Sequence, residues 1–234
     1  VIEITVPPRH GSARARVLLT GAGGSIGEAV RERLVEDGAE VLLLTHLSGK
    51  GGTVADFADD DAMSAAVAGF GSIDHVVLTH GLLEQGPMGD VPPSRWRRMM
   101  DVNLNSSYTI IHAAVPAMAE GGSIVVVSST AALDRSPGGG PHYTVSKWGL
   151  NGLVRHLSAE LGAAGIRING IMPCLVDNPM GRAFMTTDEY EFWVSQVPLR
   201  RAAEPDEIAR VAMFLLSRVS SYVTGANIPV TGGR

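Results

Sequence analysis

Arg16-Val17-Leu18-Leu19-Thr20-Gly21-Ala22-Gly23-Gly24-Ser25-Ile26-Gly27 is a short apolar run that closes on a cluster of glycines. A run this short, bounded by glycine, reads as a buried strand. Beyond it Ile26, Val30, Leu34 and Val35 fall on one helical face, with Glu28, Arg31, Glu32 and Glu36 on the other. That helix stops at Asp37-Gly38, and 40–45 reads as a second strand buried on both faces. A strand–helix–strand unit of this length predicts a parallel pair with a right-handed crossover. Its glycine turn would aim backbone N–H groups and the positive end of the helix at an anion.

The same alternation continues outward. Strands are expected over 52–55, 75–79, 123–127, 166–171 and 226–230, with helices over 59–70, 93–119, 141–163 and 206–217. This predicts one α/β domain over 1–234, a doubly wound parallel sheet with helices on both faces. Residues 1–14 form an N-terminal extension in this reading. The chain has 234 residues, and its 19 Lys and Arg against 24 Asp and Glu give a net charge of −5, so no basic nucleic-acid footprint is expected. Arg95-Trp96-Arg97-Arg98 reads as a solvated helix face. Cys174 is the sole cysteine, which excludes an internal disulfide. No apolar run is long enough to span a membrane, and 1–10 lack the order of a secretory signal, so the expected setting is cytoplasmic with no membrane partner. None of the histidines has metal-ligand spacing, so no metal is expected.

Two rival motifs fail. Gly23-Gly24-Ser25-Ile26-Gly27 fits the nucleophile elbow of hydrolases, but it follows the first strand, and no late acid and histidine come after it. A phosphate loop at Gly49-Lys50 lacks both its first glycine, since Leu44 stands there, and its Ser or Thr, since Gly51 does. A different constellation carries chemistry. Tyr143 and Lys147 lie one turn apart on the long helix expected over 141–163, and Ser128-Ser129 end the strand before it. At the carboxyl edge of the sheet these groups suit proton transfer coupled to hydride transfer. The ammonium would lower the phenol's pKa, and a serine hydroxyl would hold the substrate oxygen.

Taken with these features, several further segments resemble the short-chain dehydrogenase/reductase family, from about residue 15 to 233. They are Asp56 after the third strand, Val102-Asn103, Arg167-Ile168-Asn169-Gly170, Pro198-Leu199-Arg200-Arg201, and Tyr222-Val223-Thr224-Gly225 with Val230-Thr231-Gly232-Gly233. The resemblance implies a single-domain Rossmann-type fold and an NAD(P)-dependent oxidoreductase interconverting a secondary alcohol and a ketone. It implies Tyr143 as acid/base, Lys147 lowering its pKa and holding the nicotinamide ribose, and Ser129 polarising the substrate oxygen, with Ser128 the less favoured neighbour. Asn103 would hold a relay water, or else bridge backbone groups. A 3-oxoacyl-thioester reductase, docking a carrier through Arg95, Arg97 and Arg98, is the alternative enzyme. A non-catalytic nucleotide-binding scaffold or sensor is the alternative of another class.

Cofactor contacts are expected from Gly21, Gly24, Ser25, Ile26, Asp56, Phe57 and Gly81, and from Pro173 and Val176 beside the nicotinamide. His80 would contact the cofactor or fill space. The chain departs from the family pattern at Ser25, at Leu78-Thr79-His80-Gly81, at Cys174 and at Thr231. The second strand ends at Thr45-His46, with no carboxylate for a ribose 2′-hydroxyl. NADP is therefore favoured over NAD, with Thr45, His46 and Lys50 offered to the phosphate. The helix usual before Asp56 is expected to be reduced or missing. Arg135, His142 and Phe184, with Ser129, are the expected substrate contacts. The lid is expected over 175–200, where Met180, Phe184, Met185, Tyr190, Phe192 and Trp193 give it an apolar inner side. A homodimer or homotetramer is expected by resemblance.

Overall fold

A computed structural model describes residues 4–8, 13–46, 48, 51–136 and 138–234, without the side chain of Met180. Lys50, offered above to a phosphate, lies outside the described residues. The described strands form one parallel sheet in the order β3-β2-β1-β4-β5-β6-β7. They are β1 (Arg16–Thr20), β2 (Glu40–Thr45), β3 (Thr53–Val54), β4 (Ile73–Leu78), β5 (Met118–Val127), β6 (Arg167–Pro173) and β7 (Asn227–Val230). The strand order reverses between β1 and β4, which pair with Leu18 opposite Val76. In such sheets a crevice opens at the carboxyl ends of the strands flanking the reversal.

The period of two along each strand divides the core. Leu18, Val76 and Val126 face one side, with residues of α2 (Asp60–Ala68), α4 (Ser106–Ala114) and α5 (Pro141–Ala163). Val17, Leu19, Val77 and Val125 face the other, with α1 (Ser25–Glu36) and α8 (Pro205–Leu216). Arg33 of α1 clamps Asp206 of α8, one of its two hydrogen bonds being 2.7 Å long. The segment before β1 is tied down as well: Val6 is buried, and its N–H donates to Asp37 at 2.7 Å. No described helix is long and apolar enough to cross a membrane.

Two differences from the expected elements have physical causes. β5 starts at Met118, five residues before the expected 123, because Met118 pairs with Ile73 across a register shift. The helix expected over 93–119 is α3 (Pro93–Met100), a π-helical turn over Asp101–Asn105, then α4, ending in a 3₁₀ turn at Ala117. The π turn holds Asn103, whose side chain bonds outward to the segment after β4. Among the described residues no helix separates β2 from β3, as the shortness of that connection suggested. The segment over 175–200 carries α6 (Pro179–Ala183) and α7 (Thr187–Ser195), the latter started by a capping box between Thr186 and Glu189.

Candidate active site

A cavity of about 440 Å³ lies at the carboxyl ends of β1, β4, β5 and β6. Its floor is the glycine turn. Gly21 sits at φ 73°, and its carbonyl oxygen would lie only 2.1 Å from a Cβ at Gly27, so the turn closes only without that side chain. Gly24 is the N-cap of α1 and supplies no side-chain cap. The first-turn N–H groups, at Ser25, Ile26 and Gly27 on the cavity wall, are thus open to an external acceptor. An uncapped helix start behind an obligatory glycine turn fits a dinucleotide's pyrophosphate.

The departure at Thr79-His80 is compensated within the fold. Thr79 Oγ1 donates to the Thr20 carbonyl at 2.7 Å. His80 Nδ1 lies 2.6 Å from Thr20 Oγ1, and Nε2 lies 2.8 Å from Ser106 Oγ. Ser106 gives its own proton to the Val102 carbonyl, so it accepts from Nε2–H, and Nδ1 accepts from Thr20. Both ring nitrogens are therefore engaged inside the protein, and the imidazole ties β1 to α4. The ring also meets Phe57 edge-on at 4.8 Å. Burial first, then neighbouring Lys147 and His46, push its pKa down to about 3.

That shift has a consequence for stability. The folded state holds His80 neutral, whereas the unfolded chain protonates it below its ordinary value of 6.5. The stabilisation is complete above that value and is lost as pH falls from about 6.5 toward about 3. The loss is at most about 1.4 kcal/mol per pH unit for one group. Urea unfolding at pH 7 and pH 5 should show a larger drop in wild type than in His80→Asn. Equal drops would remove His80 as the acid-sensitive group.

On α5, Tyr143 and Lys147 stand one turn apart, as their spacing predicts. Lys147 is buried; its Nζ donates to the Val127 carbonyl at 3.3 Å and lies 5.8 Å from the Tyr143 ring centre. Burial lowers its pKa to about 8. Burial raises the pKa of Tyr143, and the hydrogen bond with Ser129 opposes that rise without cancelling it. Lys147 adds nothing to this balance, its ammonium being placed on a backbone carbonyl. Ser129 Oγ also accepts from Ala131 N at 3.1 Å, which fixes the hydroxyl at the end of β5. Ser128 Oγ instead donates to the Lys147 carbonyl at 3.2 Å and steadies the helix. Asn103 is fully buried and clamps the Leu82 backbone, accepting from its N–H at 2.7 Å and donating to its carbonyl at 3.0 Å. A further bond, from Asn103 Nδ2 to Ser146 Oγ at 3.0 Å, joins the clamp to α5.

Gly24, Ser25, Ile26, Gly81, Pro173 and Val176 all line the cavity beside Ser129, Tyr143 and Lys147, as does the edge of His80. Thr45, His46, Asp56 and Phe57 do not; they lie at the ends of β2 and β3, beyond the cavity on the side expected for adenosine. Asp56 is exposed and accepts from Ala58 N at 3.0 Å. Three expected substrate contacts are not brought to the cavity wall. Arg135 is exposed to solvent. His142 is fully buried, with Nε2 3.5 Å from Glu84 on the far side of the loop. Phe184 caps α6, its carbonyl held by Gln85 at 2.8 Å. Leu82, Leu83, Met185, Trp193 and Arg234 line the wall instead. Met185 and Trp193 belong to the apolar set on the lid, but nothing in the pattern singled out Arg234. Among the described residues no cluster of three or more His, Cys, Asp or Glu is placed to hold a metal ion.

Comparison with known proteins gives concordant matches. A family model described as Enoyl-(Acyl carrier protein) reductase matches residues 21–234. Trans-4-hydroxycyclohexanecarboxylate dehydrogenase of Sinomonas cyclohexanicum is 35% identical over 223 residues, covering 92% of this chain and 80% of that protein. L-rhamnose 1-dehydrogenase (NAD(P)(+)) of Azotobacter vinelandii is 34% identical over 246 residues, covering 93% of this chain and 95% of that protein. Among solved structures, a 3-oxoacyl-(acyl-carrier protein) reductase with bound NAD from Brucella melitensis superposes with a TM-score of 0.85 at 31% identity, over 100% of this chain and 95% of the other.

Proposed function

Because the chain belongs to the short-chain dehydrogenase/reductase family and is an NAD(P)-dependent oxidoreductase, we propose that it interconverts a secondary alcohol and a ketone with Tyr143 as acid/base. The observation that carries this reading is the meeting of Tyr143, Ser129 and Lys147 in the cavity that begins at the uncapped start of α1. When bound, the nicotinamide supplies or accepts the hydride. Tyr143 Oη gives a proton to the carbonyl oxygen in reduction and takes it from the hydroxyl in oxidation. Ser129 Oγ holds the same oxygen. Lys147 holds the ribose and lowers the phenol's pKa once its ammonium turns from Val127 toward them. Asn103, through its clamp on Leu82 and its bond to Ser146, fixes the wall facing Lys147 and is the place for a relay water.

The pyrophosphate would rest on the N–H groups of Ser25 and Ile26, with Gly21 and Gly24 allowing its approach. Thr45, His46, Asp56 and Phe57 would hold the adenosine end, and Pro173 and Val176 the nicotinamide. β2 ends at Thr45 without a carboxylate, so NADP is preferred over NAD. The ratio of kcat/KM for the two cofactors checks this: NADP should lead, and a tenfold or larger preference for NAD rejects it.

Activity is to be sought at 340 nm over small alcohols and ketones, including the hydroxy acid, sugar and 3-oxoacyl types handled by the relatives. The 3-oxoacyl-thioester alternative loses part of its docking surface, because Arg95 and Arg98 are drawn onto Glu84 at 2.9 and 3.3 Å. Exposed Tyr108 on α4 and exposed Val145 and Trp148 on α5 favour a homodimer or homotetramer through these helices. A single domain, a lid over 175–200 and a cytoplasmic setting complete the reading.

A further inference from the structure

We propose that Arg234 is a substrate-binding residue that takes a carboxylate, so that the substrate is an alcohol or ketone bearing an anionic group. The proposal rests on the oxidoreductase reading and names the substrate class of that site. Among the described residues two basic side chains, Lys147 and Arg234, line the cavity, and no Asp or Glu does. Lys147 is already committed to the Val127 carbonyl, beside Tyr143. The Arg234 guanidinium lies 4.4 Å over the Trp193 ring and donates to Cys174 Sγ at 3.4 Å. Thiol sulfur is a weak acceptor, and the stacked fork keeps further N–H donors for a planar oxyanion.

Its location points to the substrate rather than to the cofactor. The turn after β7 is held by Leu199 N donating to the Gly232 carbonyl at 3.1 Å, and it returns the chain across the end of β6 to Cys174. In the sheet β6 neighbours β5, which ends at Val127 two residues before Ser129, and stands three strands from β1, where the helix start awaits the pyrophosphate. At about 4.8 Å per strand these separations are ~5 and ~14 Å. An anion on Arg234, beside Cys174 at the end of β6, is therefore on the Ser129 side of the cavity and across the sheet from the glycine turn. Leu82, Leu83 and Met185 furnish apolar wall for the hydrocarbon between the two ends.

The test uses the full chain saturated with cofactor. The probes are 4-hydroxycyclohexanecarboxylate, its uncharged carboxamide, and cyclohexanecarboxylate as a ligand that cannot react, followed by tryptophan fluorescence. Wild type should favour the carboxylate over the carboxamide by about tenfold or more in kcat/KM, the range for a charge-assisted hydrogen bond. Arg234→Gln should erase that preference through KM with kcat nearly unchanged, and Arg234→Lys should restore part of it. Cofactor Kd should be the same in all three proteins. Equal handling of acid and amide by wild type overturns the proposal, as does an Arg234→Gln defect confined to cofactor Kd, which would assign the arginine to the pyrophosphate. If neither hydroxy compound reacts, cyclohexanecarboxylate binding to wild type but not to Arg234→Gln upholds the subsite and counts against the reaction alone. Binding to neither overturns the subsite.

Discussion

Tyr143→Phe is expected to lower kcat by about 10²–10⁴-fold, the usual worth of a positioned acid/base, with cofactor Kd little changed. The ring stays, so packing against the loop and the 5.8 Å approach of Lys147 to its face are kept. What goes is the hydroxyl that hydrogen-bonds with Ser129 and that the proposal makes the proton donor and acceptor. Burial raises the phenol's pKa, so in the oxidative direction kcat/KM should climb with pH on the alkaline side as the phenolate forms. The residual rate of the phenylalanine variant should lack that climb. Steady-state kinetics at several pH values, with fluorescence titration of the reduced cofactor, measures both. Substantial turnover in Tyr143→Phe with intact cofactor binding would sink the mechanism.

Gly27→Ala is expected to cost stability and cofactor affinity together. A methyl group at residue 27 would stand 2.1 Å from the Gly21 carbonyl oxygen and 2.6 Å from Thr79 Oγ1, so either the turn opens or α1 shifts away from β1. Overpacking of this kind costs about 1–3 kcal/mol, and each kcal/mol lowers Tm by roughly 2–4 °C in a chain of this size. The displaced turn would also withdraw the N–H groups proposed to receive the phosphates. Gly24→Ala is the control, since the nearest atom to its added methyl is an ordinary 3.5 Å away. Its Tm should fall by clearly less than that of Gly27→Ala in a thermal melt. Equal melting of the two variants would refute the close-approach argument.

Much of the frame was legible before any coordinates. The bounds of α5 match the pattern over 141–163, because proline at its start and a sustained period of 3.6 are local signals. The glycine turn, and the one-turn offset of Tyr143 from Lys147, are likewise set within a few residues. The kink at Asn103 was not legible: the periodicity runs through it, and its bonding partner at Leu82 is 21 residues away. His80 was ambiguous for the same reason, with partners 60 residues before it and 26 after it.

The substrate side shows the division most clearly. The pattern identified an apolar lid and a glycine-rich loop, but not which side chains turn inward. Arg135, His142 and Phe184 had suitable chemistry, but Arg135 is exposed, His142 is buried beside Glu84, and Phe184 at the end of α6 is off the cavity wall. Arg234, with no motif around it, reaches the cavity because the turn after β7 folds back over β6. The sequence by itself determined the alternation of strand and helix, the glycine turn and the one-turn offset of Tyr143 from Lys147, since each depends on backbone preferences and spacing within one or two turns. Only the tertiary structure decided the raised pKa of Tyr143, the inward bonds of His80 and the placing of Arg234 at the cavity wall. Those depend on burial and on contacts between segments far apart in the chain, which no local period encodes.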